Sequence, residues 1–487
     1  MPVYNGFCGP SNPLQAYMAD RERLVNWYVE QVDSPAAPTS AMLLPTPGQT
    51  AYITTTDVGV RAITSEIQGR VFAVVGTGLW ELFATKTATK RGTVAQDNYP
   101  ATISYNGITG GQLFITSGGN GYCYVLATNV LTQVLTNEST MGGMKDGFFL
   151  SFNIINGKVL VSDLNDGMTW DPLVYFQRSI APDPWQAMVV GNPELWFVGD
   201  QTGEAWYNTG ASPQPFAPIP GAFFQYGTKA PFSVTMAGST LVWLSHTKDG
   251  AGQVVAARGY SPQPISNYAV DTAIASYDRD STIEDCETLV YQQDGHTFAC
   301  VHFPSANSTW CVDMSTGQWH ERGSWNIDES RYDVWHPRVH AHAFGKHLVG
   351  ERATGVISEM DVTLGLEADG SAIRRMRIGP PLWAAQRQGI VIARLDLIMD
   401  TGLGLSSGQG SDPMVMMRST GDSRRWSSER QCSAGPMGHY GRRVFWTRCG
   451  SSNRVWFPEI TVSDPIPWRL CGAEVQGSGF NTLAKAS

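Results

Sequence analysis

One pattern recurs along the middle of the chain and constrains its fold more than any other. A short apolar run leads into a turn of Gly, Asp or Asn, and a second run follows that often carries an aromatic. The first copy is Val71-Phe72-Ala73-Val74-Val75, the turn Gly76-Thr77-Gly78, then Leu79-Trp80-Glu81-Leu82. Later copies start at Leu113, Val159, Leu195, Leu241, Thr297 and His347, and the last returns as Val356-Ile357-Ser358-Glu359-Met360. Successive copies begin roughly 36–56 residues apart, most of them about 40–50, which is the spacing of β-propeller blades, each a four-stranded sheet. A single hairpin leaves an apolar face in water, whereas neighbouring blades cover both faces. A string of β-sandwiches is the alternative, since its strands also recur at short intervals. The larger period, held loosely through all the copies, favours the propeller.

Composition agrees with an all-β chain. At 487 residues it is longer than a single core usually reaches, so several domains or a closed repeat ring is expected. Gly (51) and Pro (28) supply turns, 16 Trp, 17 Tyr and 19 Phe supply strand residues, and only 16% of the chain is charged, too little for a helical protein.

The flanks lack the repeat. Residues 1–60 read as an N-terminal extended arm, with a strand near Leu24–Glu30 and a Pro-rich stretch to Pro47-Gly48. Residues 61–365 carry the propeller-like repeats. Residues 366–487 form a C-terminal β-rich domain, either a small sandwich or the closing blades. Ala393–Asp400 largely alternates as a half-buried strand does, and a Gly-rich loop follows from Thr401 to Gly410.

The formal net charge of −9 argues against tight duplex binding, which needs a basic footprint; on charge alone it reads first as ordinary solubility, and it also suits a surface past which DNA slides. The eight cysteines contain no CxxC pair, so no zinc site is expected. No basic-then-apolar leader and no apolar run near 18 residues is visible, so synthesis in a cytosol without a membrane span is expected. Ser162–Trp170 resembles the Asp-box turn of sialidase-like propellers, which is a structural turn. A glycosidase would need two carboxylates facing one cleft, and no spacing marks such a pair. His336, His340, His342 and His347 lack an HExxH arrangement and read as packing or surface residues. The arginines Arg374, Arg375 and Arg377, Arg424 and Arg425, and Arg442, Arg443 and Arg448 read best as subunit contacts, with solvated faces or phosphate contact as the alternatives. No phosphate loop, nucleophile elbow or Rossmann fingerprint occurs, and no cofactor is expected.

Three stretches carry a family resemblance: Asp20–Tyr28 with Leu44–Gly48; Phe298–Asp313 leading into Thr316–Arg322; and Arg374–Trp383 with Ser407–Gly410 and Tyr440–Val444. In this order they resemble the packaged-DNA stabilisation proteins of short-tailed bacteriophages, also called tail hub or nozzle proteins. Ser419–Trp426 departs from the family's cleaner Asp-box, which leaves that turn open. The resemblance implies a structural virion protein and not an enzyme. It implies a homohexameric tail nozzle that closes the portal channel, retains packaged DNA and conducts genome ejection. Its implied partners are the portal or head-to-tail adaptor protein, a tail fibre or tailspike and a tail needle or plug. Double-stranded DNA passes without specific binding, and the protein sits in the virion tail after assembly in the host cytoplasm. A ring of subunits closes by heterologous contacts, and Trp27 and Tyr28 of the arm with Arg374, Arg375, Arg377, Arg442 and Arg443 are the candidate subunit-interface residues. The alternative is a propeller-type receptor-binding or envelope-degrading tail protein.

Overall fold

The computed structural model describes residues 2–34, 37, 39–178, 181–247, 250–383 and 389–478. Among these, six separate four-stranded antiparallel sheets and four strands of a larger, eleven-stranded sheet form a ring of seven blades. Blade I runs from Val60 to Thr93, blade II from Thr102 to Leu135, blade III from Met141 to Gln177 and blade IV from Trp185 to Phe224. Blade V runs from Thr235 to Pro264 and blade VI from Glu287 to Arg322. Blade VII takes three strands from Pro337–Asp361 and its fourth, Gly48–Thr54, from near the start of the chain. The ring is thus closed by strands from both ends of the repeat region. The alternative of successive sandwiches does not hold for this region.

The repeat makes a ring because each blade is apolar on both faces. In Val71–Val75 and Leu195–Gly199 every residue is buried, odd and even positions alike. Their side chains fill clusters between successive blades. Val60, Val71, Ala73 and Val75 of blade I meet Leu348 and Ile357 of blade VII, and Phe72, Val74 and Leu79 meet Leu113 and Ile115 of blade II. Each such Val, Leu or Phe contributes roughly 1.5–3 kcal/mol on burial. Tight two-residue turns join the strands. Asp146 and Gly147 (φ 50° and 86°) and Asp294 and Gly295 (φ 50° and 85°) both have the positive φ values that match the right-handed strand twist. The outer strands carry features that discourage pairing with other chains: Pro172 in blade III, Pro218 and Pro220 in blade IV, Pro262 and Pro264 in blade V, and Lys90 with Arg91 in blade I.

Of the two C-terminal alternatives, the sandwich is the one formed. One sheet orders Trp27–Gln31, Ala41–Pro45, Leu470–Ser478, Ile390–Met399 and Val444–Ser452. The facing sheet orders Arg21–Val25, Arg375–Ile378, Val455–Val462, Met414–Thr420 and Arg430–Ser433. Trp27, Trp446, Trp456 and Trp468 lie between them with Leu24, Leu395 and Ile460. The first sixty residues, expected as an extended arm, run as strands shared between the two domains: four enter the sandwich, one closes blade VII and one opens blade I.

Candidate functional site: the domain joint and the propeller channel

The joint is built around strands Arg21–Val25 and Trp27–Gln31. Val25 pairs in parallel with Glu321 on the outer edge of blade VI and antiparallel with Met376, so the blade VI sheet continues without a break into the sandwich. Asn26 turns the chain between the two sheets with φ 59°, a left-handed conformation that Asn tolerates better than most residues. Its Nδ2 donates to the Gly323 and Arg374 carbonyls, each at 2.8 Å, and its Oδ1 accepts from Gly323 N–H at 3.1 Å.

Strand alternation then sends the next two residues to different domains. Trp27 enters the sandwich core, where its Nε1 donates to the Trp468 carbonyl at 3.1 Å. Tyr28 packs between blades VI and VII, edge-on to Phe298 at 5.2 Å. Glu30, on the same face as Tyr28, meets His296 Nε2 at 2.7 Å, while His296 Nδ1 lies 2.8 Å from Asp313. Burial opposes charging of His296, but the Asp313 and Glu30 carboxylates outweigh it and raise its pKa.

The remaining interface candidates fall into two groups. Arg377 is fully buried. Its Nε donates to the Phe7 carbonyl at 2.7 Å, its Nη atoms to the carbonyls of Gly6 and Pro10, and it pairs with Glu22. Arg375 is also buried. It donates to the Thr46 carbonyl at 3.2 Å, its Nε has no hydrogen-bond partner, and burial pulls its pKa down to about 10. Glu367 lies nearby, accepting from Gln49 Nε2 at 3.0 Å, and burial pushes its carboxyl up to about 8. Arg374 is half-buried and stacks over the Trp325 ring at 4.4 Å. Arg442 and Arg443 are exposed on the far side of the sandwich, where Arg443 Nη2 reaches Asp396 at 2.6 Å and Arg442 Nε donates to the Ser433 carbonyl at 3.3 Å. The structure therefore brings Trp27, Tyr28, Arg375 and Arg377 together at the joint and leaves Arg442 and Arg443 apart from it. Asn26, Glu22 and Glu367 are joint residues that sequence reading did not single out. The strand break at Asn26, between two apolar pairs, was the available signal.

The innermost strands of all seven blades line a channel of about 820 Å³. Its wall is apolar over much of its length, with Met144, Met188, Val190 and Met236. Glu287 is the single carboxylate among its lining residues, and two arginines hold it: Arg338 at 2.6 and 2.9 Å and Arg352 at 2.8 and 3.1 Å. Arg61 is likewise spoken for by Asp97, Ser117 and the Tyr99 carbonyl, and burial lowers its pKa. His340 Nε2 lies 3.0 Å from His347 Nδ1, and burial pulls His340 down to about 4. Among the described residues no group of three or more His, Cys, Asp or Glu is placed to hold a metal ion. In the Asp-box-like turn, Asp166 caps the Met168 N–H and accepts from Thr169 and Gln112, while Trp170 Nε1 donates to the Gly167 carbonyl, so these groups satisfy one another.

Two family models match the chain in sequence order. The first is described as the β-propeller of bacteriophage P22 Gp10 and matches residues 23–365; the second, the β-sandwich of the same protein, matches residues 375–478. The chain belongs to the bacteriophage P22 Gp10 family. It is therefore a phage structural protein of the virion, and the family boundary near residue 370 falls in the connection between blade VII and the sandwich strand Arg375–Ile378. Among curated proteins no match was found. Among solved structures, the N-terminal domain of Nup159 is 8% identical with a TM-score of 0.41, covering 68% of this chain and 98% of that one. The extracellular domain of the hybrid two-component system BT4673 from B. thetaiotaomicron is 12% identical with a TM-score of 0.41, covering 87% of this chain and 61% of that one. No helix among the described residues of this Gp10-family chain is long and apolar enough to cross a membrane.

Proposed function

We propose that this chain is a tail nozzle or hub subunit that closes the portal channel, retains packaged DNA and forms the conduit for genome ejection. The observation that carries the reading is the match to both Gp10 domains, in order, over nearly the whole chain. In this reading the subunits form a homohexameric ring in the virion tail, assembled in the host cytoplasm. The ring contacts the portal or adaptor protein above, a fibre or tailspike outside and a needle or plug below. Net acidity keeps passing DNA from sticking. The exposed Arg442 and Arg443, with the half-buried Arg374, make the subunit contacts. Trp27, Tyr28, Arg375 and Arg377 support those contacts from within by fixing the sandwich to the propeller. The functional division is a propeller of 61–365 and a C-terminal domain of 366–487, with residues 1–60 supplying strands to both, and limited proteolysis near residue 365 is its test.

An envelope-degrading enzyme is disfavoured because the channel holds one carboxylate, already bound by two arginines, where glycoside hydrolysis needs two working ones. The decisive experiment deletes the gene from its phage and measures the DNA retained in new heads. Filled heads that leak DNA and lack a tail tip support the nozzle. Stable, fully tailed particles that fail only to adsorb or penetrate would overturn it in favour of receptor binding or envelope degradation.

A further inference from the structure

We propose that Cys300 and Cys311 form a redox site inside blade VI, a thiol pair that a peroxide closes to a disulfide and a small-molecule thiol reopens. The two residues are direct partners across antiparallel strands His296–Phe303 and Ser308–Asp313. Opposed residues in such a pair have Cα atoms about 4.5–5.5 Å apart, inside the range of about 4.4–6.8 Å that a disulfide spans. The Sγ atoms already lie 3.1 Å apart, so closing the bond moves the sulfurs by about 1 Å and leaves the backbone in place.

The surroundings favour chemistry at this pair. Arg322, on the next strand of the same blade, is buried with its guanidinium over the rings of Tyr291, Phe298 and Trp335 at 5.0, 5.2 and 4.9 Å. It donates to the Tyr291 hydroxyl and, at 3.3 Å, to His320 Nε2, while its Nη1 has no hydrogen-bond partner. Among the described residues no carboxylate pairs with this charge, so the Tyr291 hydroxyl and the nearby thiols are the groups able to balance it. Burial opposes ionisation of both sulfurs, but at Cys300 the hydrogen bond between the thiols and the Arg322 charge outweigh it.

The step balances with a peroxide as oxidant. The Cys300 thiolate attacks one oxygen of hydrogen peroxide, the O–O bond breaks, and hydroxide leaves with sulfenic acid on Cys300. The Cys311 thiol then attacks the Cys300 sulfur, the S–O bond breaks, and the Cys311 proton departs with the hydroxyl as water. Each sulfur is oxidised by one electron and the peroxide is reduced by two. Peroxide and a small-molecule thiol reach the buried pair through local openings of the blade. Because Arg322 stabilises the thiolate, the disulfide is readily reduced again. The cross-link would staple the two central strands of the blade whose outer edge carries the sandwich.

The test exposes the native full-length chain to hydrogen peroxide, removes the oxidant, unfolds the protein in an alkylating agent and counts adducts by intact mass. All eight cysteines are free thiols in the structure, so the expected result is a fall from eight labelled thiols to six, restored to eight by dithiothreitol. Peptide mapping should place the cross-link at Cys300–Cys311, and Cys300→Ser should keep all seven remaining thiols through the same treatment. Eight labelled thiols in the treated native chain, a cross-link mapped elsewhere, or a pair still lost in Cys300→Ser would overturn the proposal.

Discussion

Asn26 concentrates the demands placed on a single residue in this molecule. It needs a left-handed backbone, two side-chain donors and one acceptor at one point, and Asn meets all of these. Asn26→Ala should therefore cost about 2–3 kcal/mol, read as a lower denaturation midpoint. Glu367 makes a prediction in pH. The unfolded carboxyl loses its proton near its ordinary value, whereas the folded one keeps it to about 8. Stability should fall as pH rises from about 4.5 towards 8 and then level off. Glu367→Gln should flatten that slope and stabilise the chain at pH 8, on the order of 3 kcal/mol, in thermal melts across pH. The buried histidines act in the opposite range. His302, held to about 3 by burial and nearby arginines, and His340, held to about 4, stay neutral in the fold and charge in the unfolded chain. Stability should therefore fall as pH drops below about 6.5, with His296, whose pKa is raised, working partly against the trend.

At the scale of elements, the legible strands were those buried on both faces. Six of the seven hairpins read from sequence are the central pair of a blade, such as Val71–Val75 with Gly78–Phe83, because those runs are largely apolar and buried on both faces. In blade III the reading caught Lys158–Asp163 with the outer strand, and missed Phe148–Asn153. Outer strands such as Thr87–Thr93, half in water and rich in Thr and Lys, carry no such signature. The closing strand Gly48–Thr54 was illegible as a blade strand because its partner, Val356–Asp361, lies some three hundred residues away in sequence. Its Ile53 is buried between blades VII and I. Ile53→Ala should cost about 2–4 kcal/mol. Hydrogen exchange should show the loss of protection first in blades VII and I, whereas an even loss over all blades would contradict the closing role.

At the scale of the whole molecule, two domains share one uninterrupted sheet, so sandwich and propeller are expected to move as one body. If the exposed arginines join subunits, Arg442→Ala with Arg443→Ala should convert a hexamer to monomers in native mass spectrometry while leaving the thermal melt within about 1 kcal/mol of the parent, since Arg394 still pairs with Asp396. A chain that stays hexameric would remove these residues from the contact. The sequence by itself determined the repeat, the all-β class and the family, because burial of both faces of a blade and the tight turns between strands are written in local runs of residues. Only the tertiary structure decided where the first sixty residues go, which C-terminal alternative forms, and which arginines are exposed. Arg375 and Arg377 read like Arg442 and Arg443 in sequence. The first pair is buried because the carbonyls of Thr46, Gly6, Phe7 and Pro10, hundreds of residues away, converge on it, and such long-range backbone partners leave no trace in the local sequence.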